Sequence, residues 1–544
     1  MSDLGSQSSS TATSTKARTP PLLRLRPPPL PPPHCGTTST PISSAALTVG
    51  PQSVMDDLEV ASQQSDLALG HSLRVFLLCI FALSVFVDVL ASSAFSVFTG
   101  PISQDLSIVF AQQSWVITSY AVTFASFLPF WGRVSDIFSP KPVFCFGFLA
   151  VGIANIILSF LTERISFFVI RALTGIAAAS LVPTAYRLIH QVFPPEERGW
   201  AYTVYGMTGS IANVTGTIIA GLIDFIPNGG QMRSWRWFFR IVAAVCIPSA
   251  IFGYFLIPAD RSSAKHVNLD RELIKRLDLI GISTMLSSII LIILGLTLGA
   301  SYGWTYGGFL APLILGIVLL PTFFLWESRR EEENALLPSS IWRIPNVTVL
   351  VIFALITLGW WSVNFIPYIE MFVQVHGERT IIAAVRTLPE GLIAGTVSVI
   401  LITNPKLIAH PRLPITVAML LCIAASIIWC QAPDVVGMSY WRYVFPGMII
   451  GSGGMQVVLL STNVGIMLAA PSERTGILGA ILQMSMQTSS VVALSIQAGL
   501  LSIHPGGIYD IRNVQASWYF EMGWTALWLA GFLIFYKPSA ERHV

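Results

Sequence analysis

Fourteen long apolar segments constrain the fold of this 544-residue chain more than any other feature of its sequence. Each has close to the roughly 20 apolar residues that a helix needs to cross a bilayer. The sequence therefore predicts an all-α polytopic membrane protein. The predicted spans are 75–98, 114–131, 142–161, 165–188, 201–226, 237–257, 278–299, 306–326, 347–371, 381–402, 413–431, 442–464, 476–500 and 517–536.

The composition agrees with this interpretation and excludes several other classes of protein. Hydrophobic residues make up 53% of the chain, charged residues make up 11%, and the mean hydropathy is +0.69. A soluble protein with so few charged residues could not cover its surface. A soluble multidomain enzyme, a disordered chain and a disulfide scaffold are therefore excluded. The net charge of +3 gives no basic face for nucleic acid, and the cysteines of the apolar segments are expected to be buried thiols.

The order of the segments indicates an internal repeat. Six spans fall within 73–257, a central pair lies within 258–346, and six more fall within 347–536. Such repeats are common in membrane transporters, where the substrate site lies between the two halves. Residues 1–72 form a Ser/Thr/Pro-rich tail that we expect to be disordered, and 537–544 form a short second tail. The proline tract of the first tail is either a solvated segment or a docking site for an SH3 or WW domain.

The distribution of Lys and Arg predicts the orientation of the chain. With both termini in the cytoplasm, most Lys and Arg of the connecting segments fall on the cytoplasmic side, as the positive-inside rule requires. The basic residues left outside are Arg164, Arg233, Arg236, Arg379, Arg442 and Arg512.

The connection between the second and third spans carries the most specific motif, WGRVSDIFSPKPV. Its Gly132, Asp136 and Lys141 resemble the loop signature of the major facilitator superfamily, G-x-L-a-D-r-x-G-r-k. A carboxylate at this place can cap a neighbouring helix or pair with an arginine. Because such a contact can form in one transport state and break in the other, these three residues are predicted to belong to a cytoplasmic gate.

Two charged residues inside the first bundle are candidates for proton coupling. Arg171 and Gly175 lie in FFVIRALTGIAAAS, which resembles the second motif of the same superfamily. Arg171 either points into a cavity or anchors its helix at the membrane interface. Asp88 stands alone in an apolar helix, and a lone carboxylate there is costly unless it is protonated, paired or hydrated. Asp88 is therefore either a proton-binding site or a structural hydrogen-bond acceptor.

The fifth span resembles the antiporter signature g-x-x-x-G-P-x-x-G-G. Ala212, Gly216, Ala220 and Gly221 occupy its small positions, and Thr217 replaces its proline. Small residues four apart allow helices to approach closely. This face is therefore either the antiporter motif or a plain packing surface.

The second half offers weaker candidates for a substrate cavity. Arg386 and Glu390 are four residues apart, and they either pair with each other or leave Glu390 for substrate. Gln483 and Gln487 lie on one face of the predicted span 476–500, and they bind either substrate or another helix. The cavity candidates are Trp361, Asn364, Glu390, Gln483 and Gln487.

Several motifs are missing from the sequence. It contains no G-x-x-x-x-G-K-[ST] phosphate loop, no metal-ligand cluster and no nucleophile triad, so it predicts neither an ATP-driven pump nor an enzyme. The expected energy source is a proton gradient, without a cofactor.

Residues 73–536 as a whole resemble the fungal fourteen-helix drug:proton antiporter branch of the superfamily. The chain is similar there to the aminotriazole-resistance and low-affinity ammonium transporter-like group. The resemblance implies two six-helix bundles with an inserted central pair. It also implies proton-coupled efflux of small organic molecules by a monomer in the plasma membrane, or alternatively the vacuolar membrane. Two alternatives stay open: transport of a small polar solute such as ammonium or borate, and a non-transporting sensor.

Overall fold

The computed structural model describes residues 70–537, except 109–111, 113–114, 224, 227–229, 259–277, 305–306, 332–334, 338–339, 405–406, 408–409 and 472–473. The predicted 1–72 tail, the 258–277 connection and the 537–544 tail lie mostly outside the described residues. Within them, all fourteen predicted spans are helices. They are α1 (His71–Asp105), α2 (Trp115–Ile137), α3 (Pro140–Phe160), α4 (Arg164–Val192), α5 (Pro195–Ile223), α6 (Ser234–Leu256), α7 (Leu279–Tyr302), α8 (Leu310–Glu327), α9 (Val347–Val375), α10 (Thr380–Thr403), α11 (Arg412–Cys430), α12 (Gly437–Ala469), α13 (Thr475–Leu500) and α14 (Ile511–Phe535).

Twelve of these helices have the length and apolar composition of a membrane span. The other two, α2 and α14, contain 23 and 25 residues and are long enough to cross the hydrocarbon core. Both contain several aromatic and polar residues, which lower their mean hydropathy. None of the residues of α2 is exposed, whereas α14 has one buried face and one exposed face.

The two six-helix halves repeat one packing pattern. In the first half α1 packs on α5, α2 on α4 and α3 on α6. In the second half the corresponding partners are α9 with α13, α10 with α12 and α11 with α14. The equivalent pairs confirm the predicted architecture of two six-helix bundles.

The remaining two helices form the inserted central pair. α7 and α8 pack on each other, and α7 also contacts α2 and α13. The halves meet along two equivalent helix pairs, α2 with α13 and α5 with α10. We call the face at which α1 begins the inner face, which the sequence predicts to be cytoplasmic, and the opposite face the outer face.

Ionic contacts fix helix ends at the outer face. Asp105 at the end of α1 pairs with Arg233 at 2.8 Å and with Arg236 at 3.2 Å, which ties α1 to α6. Glu163 caps α4 by accepting hydrogen bonds from the backbone N–H groups of Ser166 and Ile165 at 2.6 and 2.8 Å. These N–H groups lower the pKa of Glu163, because they stabilise its charged form.

The expectation that the membrane cysteines are all buried is wrong for one residue. Cys145, Cys246, Cys422 and Cys430 are buried thiols, but Cys79 is exposed on the surface of the bundle. An apolar segment indicates that a residue lies in the membrane. It does not indicate which face of the helix turns to lipid.

Candidate functional site

Asp88 lies near the middle of α1 with its carboxylate turned into the first bundle. Its side chain is buried, and its Oδ1 accepts a hydrogen bond of 2.7 Å from the hydroxyl of Tyr120 on α2. Sequence reasoning did not single out Tyr120. A tyrosine in an apolar helix is an ordinary core residue until its partner is known.

Arg171 on α4 turns to the same region of the first bundle. Its side chain is buried, and its Nε donates to the carbonyl oxygen of Val116 at 3.4 Å. Its guanidinium carbon lies 3.7 Å from the centre of the Phe95 ring and 4.8 Å from that of Tyr120. Arg171 thus points into the bundle, which favours the first of the two alternatives. Desolvated contacts of this cation–π type contribute about 2 kcal/mol.

Asp88, Tyr120 and Arg171 line one small cavity between α1, α2 and α4. Its accessible volume is about 20 Å³, which is enough space for one water molecule. Within the described residues, no ion pair joins Asp88 to Arg171, and Tyr120 contacts both. The cavity thus brings together a carboxylate, a phenol and a cation in the core of the first bundle.

At the inner face Asp136 joins the two halves. From the end of α2 it accepts hydrogen bonds from the backbone N–H groups of Gly476 at 3.0 Å and Ile477 at 2.9 Å, at the start of α13. It also pairs with Arg187 of its own bundle at 2.9 Å. A carboxylate at a helix N-terminus satisfies free N–H groups and interacts favourably with the helix dipole. The structure therefore shows both contacts expected of Asp136, the cap across the halves and the ion pair within one.

Glycines allow α2 and α13 to approach this closely. A Cβ atom on Gly132 would lie 2.7 Å from the Cβ of Ala480, and one on Gly476 would lie 2.5 Å from Oδ1 of Asp136. A second inner contact between the halves is the hydrogen bond of 2.9 Å from Asn463 on α12 to the hydroxyl of Tyr186 on α4. The structure is thus closed at its inner face.

Lys141, the third residue of the predicted gate, lies away from the contact between the halves. Its Nζ donates to the carbonyl oxygen of Ile257 at the end of α6, at 2.6 Å, and lies over the ring of Tyr254. A lysine at a helix C-terminus binds free carbonyl groups in this way. Lys141 therefore holds α3 to α6 within one bundle.

The small residues of α5 form a packing surface on two sides. Ala212 and Ala220 are completely buried. A Cβ on Gly216 would lie 2.0 Å from Oγ of Ser93 on α1, and one on Gly221 would lie 3.1 Å from Cα of Ile381 on α10. Whatever else the motif does, it sets the distance of α5 from both α1 and the other half.

The second bundle contains a cluster of aromatic and acidic residues around Asn364 of α9. The amide of Asn364 donates to both carboxylate oxygens of Glu521 on α14, each at 2.9 Å. Sequence reasoning missed Glu521, although it is the only charged residue between Arg512 and Lys537. The same isolation singled out Asp88. We call this the aromatic–acid cluster, and its members are Trp360, Asn364, Tyr368, Glu390, Trp429, Trp518 and Glu521.

The alternative that Arg386 pairs with Glu390 is wrong. Arg386 pairs with Glu378 at 2.5 Å, because long side chains on a helix point towards its N-terminus and Glu378 lies on that side. Glu390 lies one turn deeper, buried, and its Oε2 has no hydrogen-bond partner in the described part of the chain.

The remaining cavity candidates are divided between two places. Trp361 is half-buried and meets Trp360 edge to face, with ring centres 5.5 Å apart. Gln483 is buried and Gln487 is half-buried. They lie on the face of α13 that carries Ala480, the contact of Gly132. Among the described residues neither amide binds another helix, so the structure gives no support to that alternative.

Two six-helix bundles of membrane-spanning length, each with buried charged residues in its core, are typical of a membrane transport protein. Residues 81–280 match the model of the Major Facilitator Superfamily. It is 24% identical to the low affinity ammonium transporter of Saccharomyces cerevisiae, over 76% of this chain and 79% of that one. It is 25% identical to the efflux pump terJ of Aspergillus terreus, over 76% and 78% of the two chains.

Solved structures support the same fold. The human organic anion transporter MFSD10 matches 84% of this chain and 99% of its own, with a TM-score of 0.56 and 14% identity. The chain is therefore a multi-pass secondary transporter and not an enzyme, which confirms the class predicted from the sequence.

Proposed function

We propose that this transporter exports small organic molecules in exchange for protons. The observation that carries the proposal is the placement of Asp88, buried with Tyr120 and Arg171 around one cavity. A carboxylate in this setting is either charged and attracted to Arg171 or protonated and neutral. A proton therefore changes the force between α1 and α4 without any large change in volume.

Coupling follows when that force differs between the two transport states. Protonation of Asp88 weakens its attraction to Arg171 and favours a rearrangement of α1, α2 and α4. The inner contact through Asp136 belongs to the same bundle, so the rearrangement can reach it through α2. A proton gradient then supplies the energy, and neither ATP nor a cofactor is needed.

One of the relatives supports export as the direction of transport. It is named an efflux pump, and the chain resembles it over about three quarters of its length. The distribution of Lys and Arg favours cytoplasmic termini. We place the protein in the plasma membrane as a monomer.

Proton flux in proteoliposomes tests the proposal. The full chain is reconstituted with a trapped pH dye and challenged with a panel of amphipathic compounds. We expect compound-dependent proton movement that falls about tenfold or more in Asp88→Asn and in Arg171→Ala. Glu370→Gln, which removes a half-buried carboxylate of the other bundle, is the matched control. Full coupling in Asp88→Asn protein that elutes as a folded monomer would refute the proposal.

Ammonium transport is a second candidate function. The similarity to a low affinity ammonium transporter favours it, as does Thr217 in place of the antiporter proline. Thr217 is buried, and its hydroxyl binds the carbonyl oxygen of Val214 in its own helix at 2.8 Å. Uptake of labelled methylammonium without compound-dependent proton movement would favour this function over export.

A further inference from the structure

The second bundle buries two carboxylates without a neutralising cation. Glu390 and Glu521 are each at most 3% exposed, and they interact electrostatically with each other and with Tyr368. In the described part of the chain, neither forms an ion pair. Arg386, the nearest arginine along α10, is bound by Glu378. Buried charge of this kind is removed either by protons or by a bound cation.

Polar atoms without partners converge on the same place. Within the described residues, four buried polar atoms of the cluster make no hydrogen bond: Oε2 of Glu390, the hydroxyl of Tyr368, Oδ1 of Asn364 and Nε1 of Trp360. Buried polar atoms are nearly always satisfied in native structures, so several exceptions in one cluster require an explanation. Two of the four, on Glu390 and Asn364, are oxygen acceptors without a donor, which is what a bound cation would need.

Four buried aromatic rings of the cluster pack against one another. Tyr368, Trp429 and Trp518 lie within 5.9 to 6.4 Å of one another by ring centres, and Trp360 lies 5.7 Å from Trp429. All four rings are buried. Aromatic faces attract cations, and a cage of several rings is the usual recognition device for substituted ammonium groups.

We infer that the aromatic–acid cluster is a binding site for an ammonium-type cation, held by Glu390 and Glu521 and enclosed by the four rings. Asn364 orients Glu521 by donating to both of its oxygens. A monovalent cation that enters takes the place of one proton on the pair of carboxyl groups, and that proton passes to water. The inference rests on the proposed transport function and narrows its substrate class to cations.

Among the described residues, no basic group interacts electrostatically with Glu521. α9 contributes Asn364 and Tyr368, and α10 contributes Glu390. α11 contributes the thiols Cys422 and Cys430, both within electrostatic range of Glu521. None of these groups is basic. The site in the first bundle differs in this respect, because Arg171 faces Asp88 there.

Calorimetric binding to the purified full chain tests the inference. The probes are ammonium chloride, choline chloride and the neutral choline analogue 3,3-dimethylbutan-1-ol. We expect saturable binding of at least one cation, release of protons into weakly buffered solution on binding, and no binding of the alcohol. Ammonium binding alone would identify an inorganic ammonium site, and choline binding would identify a site for organic cations.

The variants assign the binding to the cluster. We expect Glu521→Gln and Glu390→Gln each to weaken cation binding about tenfold or more. Trp518→Leu should weaken choline binding more than ammonium binding, because choline covers more of the ring surface. Glu370→Gln, on α9 with Asn364, should leave binding unchanged. Equal binding of the neutral alcohol, or no saturable binding of either cation by the wild-type chain, would overturn the inference.

One further variant separates this inference from the proposed function. Asp88→Asn should abolish proton-coupled transport and leave cation binding in the second bundle unchanged. Intact transport in Asp88→Asn together with lost binding in Glu521→Gln would refute only the coupling role of Asp88. Normal binding in both glutamate variants would refute only the cation site.

Discussion

Asp136 should control the fraction of molecules that are closed at the inner face. It accepts two backbone hydrogen bonds from the start of α13, at 2.9 and 3.0 Å, and these cross between the halves. Hydrogen bonds to a charged group contribute about 1.5–3 kcal/mol each. In an open state, hydrogen bonds to water replace part of this stabilisation. We therefore expect Asp136→Ala to destabilise the closed state relative to the open state by about 2–3 kcal/mol in total. The open population should then rise by about 30- to 150-fold relative to the closed one.

Distances between spin labels measure this shift. Labels at Glu196 and Asn404, both exposed at the inner face and in different halves, report its opening in a chain without native cysteines. We expect one short distance for the wild type and a second, longer one for Asp136→Ala. Arg187→Gln is the matched control, since it removes the ion pair of Asp136 within one bundle and leaves the crossing hydrogen bonds in place. An unchanged distance distribution in Asp136→Ala would refute the reasoning.

Three further changes give graded outcomes. Gly216→Val should lower the unfolding temperature in detergent, because its Cβ would lie 2.0 Å from Oγ of Ser93 and overpacking costs about 1–3 kcal/mol. Gly395→Val should not, because a Cβ atom there would have no other atom within 4 Å. Lys141→Gln should lower the unfolding temperature slightly and leave the spin-label distances unchanged. A change in those distances would show that Lys141 takes part in the gate. Tyr186→Phe removes one neutral bond between the halves and should raise the open population about fivefold, well below Asp136→Ala in the same measurement.

The site could be predicted only in part. The isolation of Asp88 in an apolar helix was visible in the sequence, and the structure shows it buried. The same criterion would have found Glu521, which was missed. Tyr120 carries no such signal, because its hydroxyl meets Asp88 only through the way in which α1 and α2 face each other in the folded bundle. Arg386 and Glu390 have the spacing of a helix pair, yet Arg386 binds Glu378, a loop residue that a helix pattern does not take into account.

The sequence by itself determined the fourteen helices, the repeat of two six-helix halves and the resemblance to the superfamily. Hydropathy is a local property of the sequence, and a bilayer requires every span to satisfy its own backbone hydrogen bonds. Each helix can therefore be predicted from its own segment of sequence. Only the tertiary structure decided which face of each helix turns inward and which side chains meet there. That outcome depends on close packing between helices far apart in sequence, as at Gly216 and Ser93, Gly132 and Ala480, or Asn364 and Glu521.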